Sequence, residues 1–336
     1  MIPGAPREAR WIRSAPRRSL PADDLQQMLE RALGECTILD VQPLTEGLRN
    51  ANFKVSVDRA PECVVLRVYE HDASLCQKEV DLLRMGSGTV PVPQVIYAEP
   101  GGLENLPPFL LMQYVEGISF RDLKRSGDQT AIEQAAFAIG ETLAAIGRIS
   151  FARAGWIAPG PTVAAPMLEG ADPTPRFVDL CLASPNLQRR MSVDLRDRAS
   201  VMVWSRAQDL GELDSQSCLV HGDFGKRNLL VKCDGERWRV VAVLDWEYAV
   251  SGSPLIDIGH FLRYERDSRP CAEPHFSRGY VQAGGILPDN FRSLARAVDL
   301  IALCESLTHD DLPETVVTEL LELVRATVEQ RDTILT

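Results

Sequence analysis

The stretch 218–247, CLVHGDFGKRNLLVKCDGERWRVVAVLDWE, constrains this chain more than any other. It reads as strand, tight loop, strand, turn and strand. Cys218–Val220 is apolar, His221-Gly222-Asp223 interrupts it, and Asn228 follows five residues after Asp223. Leu229–Val231 and Val240–Leu244 are apolar or β-branched runs, and Asp234-Gly235 between them is a strong hairpin signal. If the hairpin forms, Asn228 begins one strand and Asp245 ends its partner, so both lie at the same end. Asp223 leads into that end from the loop. Two carboxylates and an amide then converge at one edge of a small sheet.

Such a grouping suits phosphoryl transfer from a nucleotide. One carboxylate orients or deprotonates an attacking hydroxyl, while a second carboxylate and an amide oxygen hold Mg²⁺ on the phosphates. Mg²⁺ prefers hard oxygen ligands and takes only one or two from protein. At these residues the chain resembles the aminoglycoside phosphotransferase and choline kinase-like family, which shares the protein-kinase fold. The family motif His-Gly-Asp-x4-Asn stands here as His221-Gly222-Asp223-Phe224-Gly225-Lys226-Arg227-Asn228, and its second motif as Asp245-Trp246-Glu247. The tripeptide Asp223-Phe224-Gly225 spells the metal signature of protein kinases, but it sits at catalytic-loop spacing, and Asp245 fills the metal position.

The resemblance spans about residues 44–264. It implies an α+β, bilobal protein-kinase-like fold, with a small N-terminal antiparallel-sheet lobe and a larger, mostly helical C-terminal lobe. ATP and Mg²⁺ are the implied cofactors. Asp223 is the implied base on an acceptor hydroxyl, and Asn228 and Asp245 the implied metal ligands. Gly47 and Asn50 mark the nucleotide loop, whose rival reading is an ordinary hairpin. Arg67, on the apolar strand 63–69, matches the position where kinases of this fold place a phosphate-binding Lys. Arg keeps the charge, with a different fork and reach. Glu79, on a helix over 72–86, is the implied partner of Arg67, with Glu70 and Asp81 as rivals. Gln113-Tyr114-Val115 is the implied hinge, where the backbone of Gln113 and Val115 meets adenine. Asp257 is the implied brace of the catalytic loop, accepting hydrogen bonds, with similar support implied for His221. Lys226 either offsets charge on the transferring group or faces solvent, and His260 reads as a packed helix residue rather than a ligand.

Along the chain, residues 1–20 read as a disordered tail, 21–116 as a nucleotide-binding lobe and 117–336 as a catalytic and substrate lobe. Helices are expected at 21–34, 129–149, 177–213, 289–307 and 312–333. In the second of these, Ile132, Ala136, Ile139, Leu143 and Ile146 recur at three and four residues, which gives one apolar face. Residues 150–176, rich in Pro, Gly and Ala, read as a long loop that either borders the acceptor or is a plain surface loop.

A net charge of −11 argues against a nucleic-acid partner. No apolar run approaches the roughly 20 residues of a membrane span, so no membrane association is expected. The eight Cys form no C-x-x-C pair and read as free thiols in a reducing cytoplasm. The expected partner is a small-molecule acceptor with a hydroxyl group, aminoglycoside-like or an amino-alcohol or sugar metabolite. The acids of the closing helices tilt this toward an amine-bearing acceptor. The chain is expected to be a monomer or homodimer. Two rival functions are a catalytically silent kinase-fold nucleotide-binding protein and a metal-dependent phosphohydrolase built on His221, Asp223, Asp245 and His260.

Overall fold

The structure, a computed structural model, describes residues 20–44, 50–69, 72–103, 105–265 and 268–329. Gly47, Glu70 and nearly all of the expected tail lie outside the described residues.

The N-terminal part is α1 (Ala22–Leu33), β1 (Ile38–Leu44), β2 (Ala51–Val57), β3 (Cys63–Val68), α2 (Ala73–Gly86), β4 (Val95–Glu99) and β5 (Phe109–Gln113). The strands form one antiparallel sheet in the order β1-β2-β3-β5-β4. Asp23 and Asp24 sit in the first turn of α1, where the helix dipole favours acids. Asp72 caps α2 by accepting from the Ser74 N–H. Strand alternation sends Val64, Leu66 and Val68 into one core with Leu25, Met28 and Leu29 of α1. The opposite face of β3 carries Val65 and Arg67, and Val65 packs against the core that holds Val80 and Leu83 of α2.

The remainder is mostly helical. It begins with β6 (Ile118–Ser119), α3 (Phe120–Ser126) and α4 (Gln129–Gly147), so the boundary expected at Gly117 falls between β5 and β6. Residues 150–176 are not one continuous loop. They carry a hairpin of β7 (Gly155–Ala158) and β8 (Thr162–Ala165). Each strand is four residues long, too short to leave a clear alternation in sequence. The stretch expected as one helix over 177–213 is divided among α5 (Pro173–Leu182), α6 (Pro185–Arg190), α7 (Val193–Trp204) and α8 (Ala207–Asp214). Ser184 and Ser192 restart helices by accepting from the N–H groups of Leu187 and Leu195. Serine competes with the helical backbone for its own hydrogen bonds, so these positions act as breaks.

Next come β9 (Cys218–Val220), β10 (Leu229–Cys233), β11 (Trp238–Val243) and β12 (Val250–Gly252). The final helices are α9 (Leu255–Leu262), α10 (His275–Gln282), α11 (Phe291–Ser306) and α12 (Glu314–Glu329). β10 and β11 form the expected hairpin, with Leu229 opposite Val243, and β6 pairs with the other edge of β10. The Leu244 N–H donates to the Asn228 carbonyl at 2.8 Å, which brings Asn228 and Asp245 to the same end. β9 pairs with β12, which pairs in turn with β7. The strand that leads into the Asp223 loop is therefore anchored on β12, just after the second motif.

Candidate active site

The loop 221–228 is shaped from beneath. Gly222 has φ +81°, and a Cβ there would lie 2.3 Å from the Tyr248 carbonyl oxygen, so only glycine fits. Asp257, fully buried on α9, accepts the His221 N–H at 2.7 Å and the Gly222 N–H at 2.9 Å. The His221 ring is buried against Trp246 at 4.6 Å. Its Nδ1 accepts the Asp223 N–H at 3.2 Å, so its Nε2 carries the proton and donates to the Leu244 carbonyl at 2.9 Å. His221 thus ties the Asp223 loop to the end of β11. Burial pushes its pKa down to about 4, which keeps the ring neutral.

Asn228 donates from Nδ2 to both the Asp223 carbonyl (2.9 Å) and the Asp223 Oδ2 (2.8 Å). With the nitrogen committed, Asn228 keeps its oxygen as an acceptor. Asp245 is one of two described non-glycine residues with positive φ, at +69°. That backbone costs of order 1–3 kcal/mol, and strain of this kind clusters at functional sites. Burial first, and the charge of Asp245 second, push the Asp223 carboxyl up to about 7, against the Asn228 hydrogen bond that lowers it.

Arg67 enters from β3. Its Nη1 lies 3.2 Å from Glu79 Oε1, its Nη2 donates to the Asp245 carboxylate, and Glu247 Oε2 stands 3.7 Å away. Glu79 is the partner of the pair. Its rival Asp81 instead accepts from Gln77 and from the Gly160 N–H in the β7–β8 turn. The Tyr69 hydroxyl and the Trp246 N–H also donate to Glu79. Asn50, at the entry to β2, donates to Glu247 Oε2 at 2.7 Å. Along the expected hinge, the Gln113 N–H is taken by the Gln94 carbonyl at 2.9 Å. The Gln113 N–H is therefore spent within the sheet.

Two sequence expectations need correction. Lys226 neither faces solvent nor reaches the transfer site. It is 4% exposed, donates to the Phe261 carbonyl at 3.2 Å and lies 3.4 Å from Glu265, which it shares with Lys124. Sequence shows the charge of Lys226 without its direction. His260 is more than a packed helix residue, because its Nε2 lies 3.4 Å from Asp223 Oδ1. Burial and the nearby cations Arg263, Lys226 and Arg227 hold His260 well below the usual imidazole range. Sequence reasoning also assigned no role to Glu247, although it stood in the quoted second motif, or to Lys78, beside Glu79. Arg227 is half-buried and acts electrostatically on both Asp223 and His260.

The Asp245 carboxylate and the Asn228 amide oxygen are hard donors, the type that Mg²⁺ selects. Among the described residues, no group of three or more His, Cys, Asp or Glu gathers as a metal cage. The donor set therefore fits an ion held largely by phosphates and water. It does not fit a hydrolase metal cluster, and His221 is turned to Leu244 instead.

The sequence model of the phosphotransferase enzyme family matches residues 40–296. Acyl-CoA dehydrogenase family member 11 of Mus musculus is 29% identical over 153 residues, covering 45% of this chain and 18% of that protein. Its Gallus gallus counterpart is 25% identical over 260 residues, covering 71% of this chain and 31% of that protein. The chain thus spans less than a third of the length of these relatives. Among solved structures, aminoglycoside phosphotransferase APH(4)-Ia superposes with TM-score 0.66 at 19% identity, covering 92% of this chain and 98% of that one. A thermostable mutant of it, bound to ADP and hygromycin B, gives 0.64 at 20% identity, covering 91% and 98%. The GDP complex of aminoglycoside 2'-phosphotransferase-IIIa gives 0.66 at 17% identity, covering 90% and 97%. These likenesses are of fold: the α+β arrangement of an antiparallel-sheet N-terminal part and a helical C-terminal part is that of the aminoglycoside kinases.

Proposed function

The chain belongs to the phosphotransferase enzyme family, and from that premise we propose that it moves the γ-phosphoryl group of ATP to a hydroxyl of a small molecule. The observation that carries the reading is the convergence of Asp223, Asn228 and Asp245 with the Arg67–Glu79 pair reaching in from β3 and α2.

Asp223 takes the proton of the acceptor hydroxyl as its oxygen bonds to the γ-phosphorus and the bond to the β-phosphate oxygen breaks. Asn228 and Asp245 would hold Mg²⁺, which would supply charge neutralisation on the phosphates. Arg67 gives up Asp245 and turns toward the donor phosphates while Glu79 keeps it anchored. Asn50 stands at the entry to β2 on the phosphate side, and the backbone of Val115, with Gln113 beside it, meets adenine between lobes 21–116 and 117–336. Asp257 and His221 hold the loop in shape. All eight cysteines are free thiols, which suits a cytoplasmic setting. No described helix is long and apolar enough to cross a membrane.

The acceptor's chemistry is set by the Asp223 side of the cleft. Asp299 and Glu319, among the acids expected to meet an amine, are spent on Arg263 and Tyr264. Arg227 and Arg263 act on Asp223 as cations. This does not favour a polycation, so the acceptor panel spans aminoglycosides, amino alcohols and neutral sugars. The names of the curated relatives add acyl-CoA thioesters. ADP release is measured across that panel with wild type and Asp223→Ala. Acceptor-dependent ADP release that Asp223→Ala abolishes supports the reading. Nucleotide binding without ADP release for any acceptor would favour the silent nucleotide-binding protein, and phosphate release from monoesters without ATP would favour a hydrolase.

A further inference from the structure

Glu247 follows Asp245 by two residues and so belongs to the metal loop of the C-terminal part, yet its polar contacts run to the N-terminal part. Its Oε2 accepts from Asn50 Nδ2 at 2.7 Å and lies 3.7 Å from Arg67 Nη2. Its main-chain carbonyl accepts from Lys78 Nζ at 2.8 Å. One residue therefore touches the entry to β2, the body of β3 and the helix α2. All four groups are withdrawn from water, with exposures of 5% for Glu247, 6% for Asn50, 4% for Arg67 and 7% for Lys78. A buried carboxylate held by a hydrogen bond and facing a cation is an expensive arrangement to keep unless position matters.

The alternative role for an acid two residues beyond a metal-binding aspartate is a further metal ligand. The geometry speaks against it. The oxygen nearest Arg67 is committed to Asn50, and the main chain is tied to Lys78. Asn50 adjoins the expected phosphate cover, and Lys78 adjoins Glu79, the anchor of Arg67.

We propose that Glu247 is a positioning residue, a latch that joins the two lobes across the nucleotide cleft and, through Asn50 and Arg67, sets the spacing at which Arg67 meets the donor phosphates. It is not a ligand of the ion. The proposal rests on the nucleotide-site reading above and deepens it.

The test uses the full chain with Glu247→Ala, Asn50→Ala, the double variant and Glu247→Gln, which keeps an acceptor for Asn50. Affinity for Mg-ADP is measured by calorimetry, the Mg²⁺ concentration for half-maximal nucleotide binding is titrated, and thermal melting is followed for each variant. A hydrogen bond to a charged group supports a loss of about tenfold in nucleotide affinity for each alanine variant. The double variant is expected to be no weaker than either single one, because both remove the same contact. Glu247→Gln is expected to recover most of the loss, with the Mg²⁺ requirement unchanged throughout. A Mg²⁺ requirement that rises in Glu247→Ala and not in Asn50→Ala would overturn the latch in favour of a ligand. Additive losses, or variants that bind as wild type does, would also overturn it. A wild type that binds no nucleotide sinks the nucleotide-site reading instead. In that case additive melting shifts for Asn50→Ala and Glu247→Ala still overturn the latch, and non-additive ones uphold the tie between lobes.

Discussion

Asp223 is held at each polar point of its side chain and backbone. Asn228 takes Oδ2, His260 faces Oδ1, and the Asp223 N–H goes to His221. Removing a general base costs a factor of about 10²–10⁴. Asp223→Ala is accordingly expected to lower phosphoryl transfer at least about 100-fold while nucleotide affinity persists, measured by coupled ADP release beside calorimetry. Near-normal turnover would end its assignment as the base. Asp257 makes a separate prediction about pH. Burial, opposed by its two backbone donors, holds its carboxyl up at about 7, against an ordinary value of 3.8. The sign follows from linkage: the folded state binds this proton more tightly than the unfolded state, so stability falls as pH rises from about 4 through about 7 and is level above. Melting temperatures of wild type, relative to Asp257→Asn, are expected to fall over that window, and parallel curves would contradict the assignment. The Asp223-x4-Asn228 spacing was legible in the sequence because loop geometry is local. The inward turn of Lys226 and the contact of His260 with Asp223 were not, because side-chain direction depends on neighbours such as Glu265 that are distant in the chain.

The hairpin β10–β11 was readable for a different reason. A turn signal and two apolar runs fix their own register, and that register puts Asn228 and Asp245 together. α4 was readable from its apolar period. What escaped is how it packs. A Cβ on Gly279 of α10 would lie 2.0 Å from the Phe137 carbonyl of α4, and one on Gly140 would lie 2.1 Å from the Phe276 carbonyl. The two helices cross with their backbones nearly touching, and nothing but an unremarked pair of glycines recorded it. Gly279→Ala is expected to destabilise the fold by about 1–3 kcal/mol, the usual cost of overpacking, read from urea denaturation. Gly211→Ala in α8, where the added methyl meets nothing within 4 Å, is the control and is expected to be neutral or stabilising. Equal effects for the two would show that α4 and α10 do not pack as described. The short strands β7 and β8 and the serine breaks of α5–α8 escaped because each is decided by a few residues.

At the scale of the molecule, the active site exists only because two parts of the chain meet. Arg67 and Asp245 are 178 residues apart, and Asn50 and Glu247 are 197 apart. Resemblance to a known family paired Arg67 with Glu79 and put Asp245 at the same site, but it did not pair Arg67 with Asp245. Local pattern supplied neither, since no periodicity encodes a contact across a cleft. The net balance at this junction is acidic: Arg67 and Lys78 face Glu79, Asp245 and Glu247. A divalent cation on the nucleotide relieves that excess, so Mg²⁺ and nucleotide are expected to raise the melting temperature together by more than the sum of each alone. The decisive measurement is calorimetric titration of Mg-ATP into wild type, Asp223→Ala and Asp245→Ala. Wild type and Asp223→Ala are expected to bind with the same Mg²⁺ dependence, and Asp245→Ala to lose the Mg²⁺-dependent part. Asp245→Ala binding Mg-ATP as wild type does, at the same Mg²⁺ requirement, would contradict the assignment of this cleft as a metal–nucleotide site.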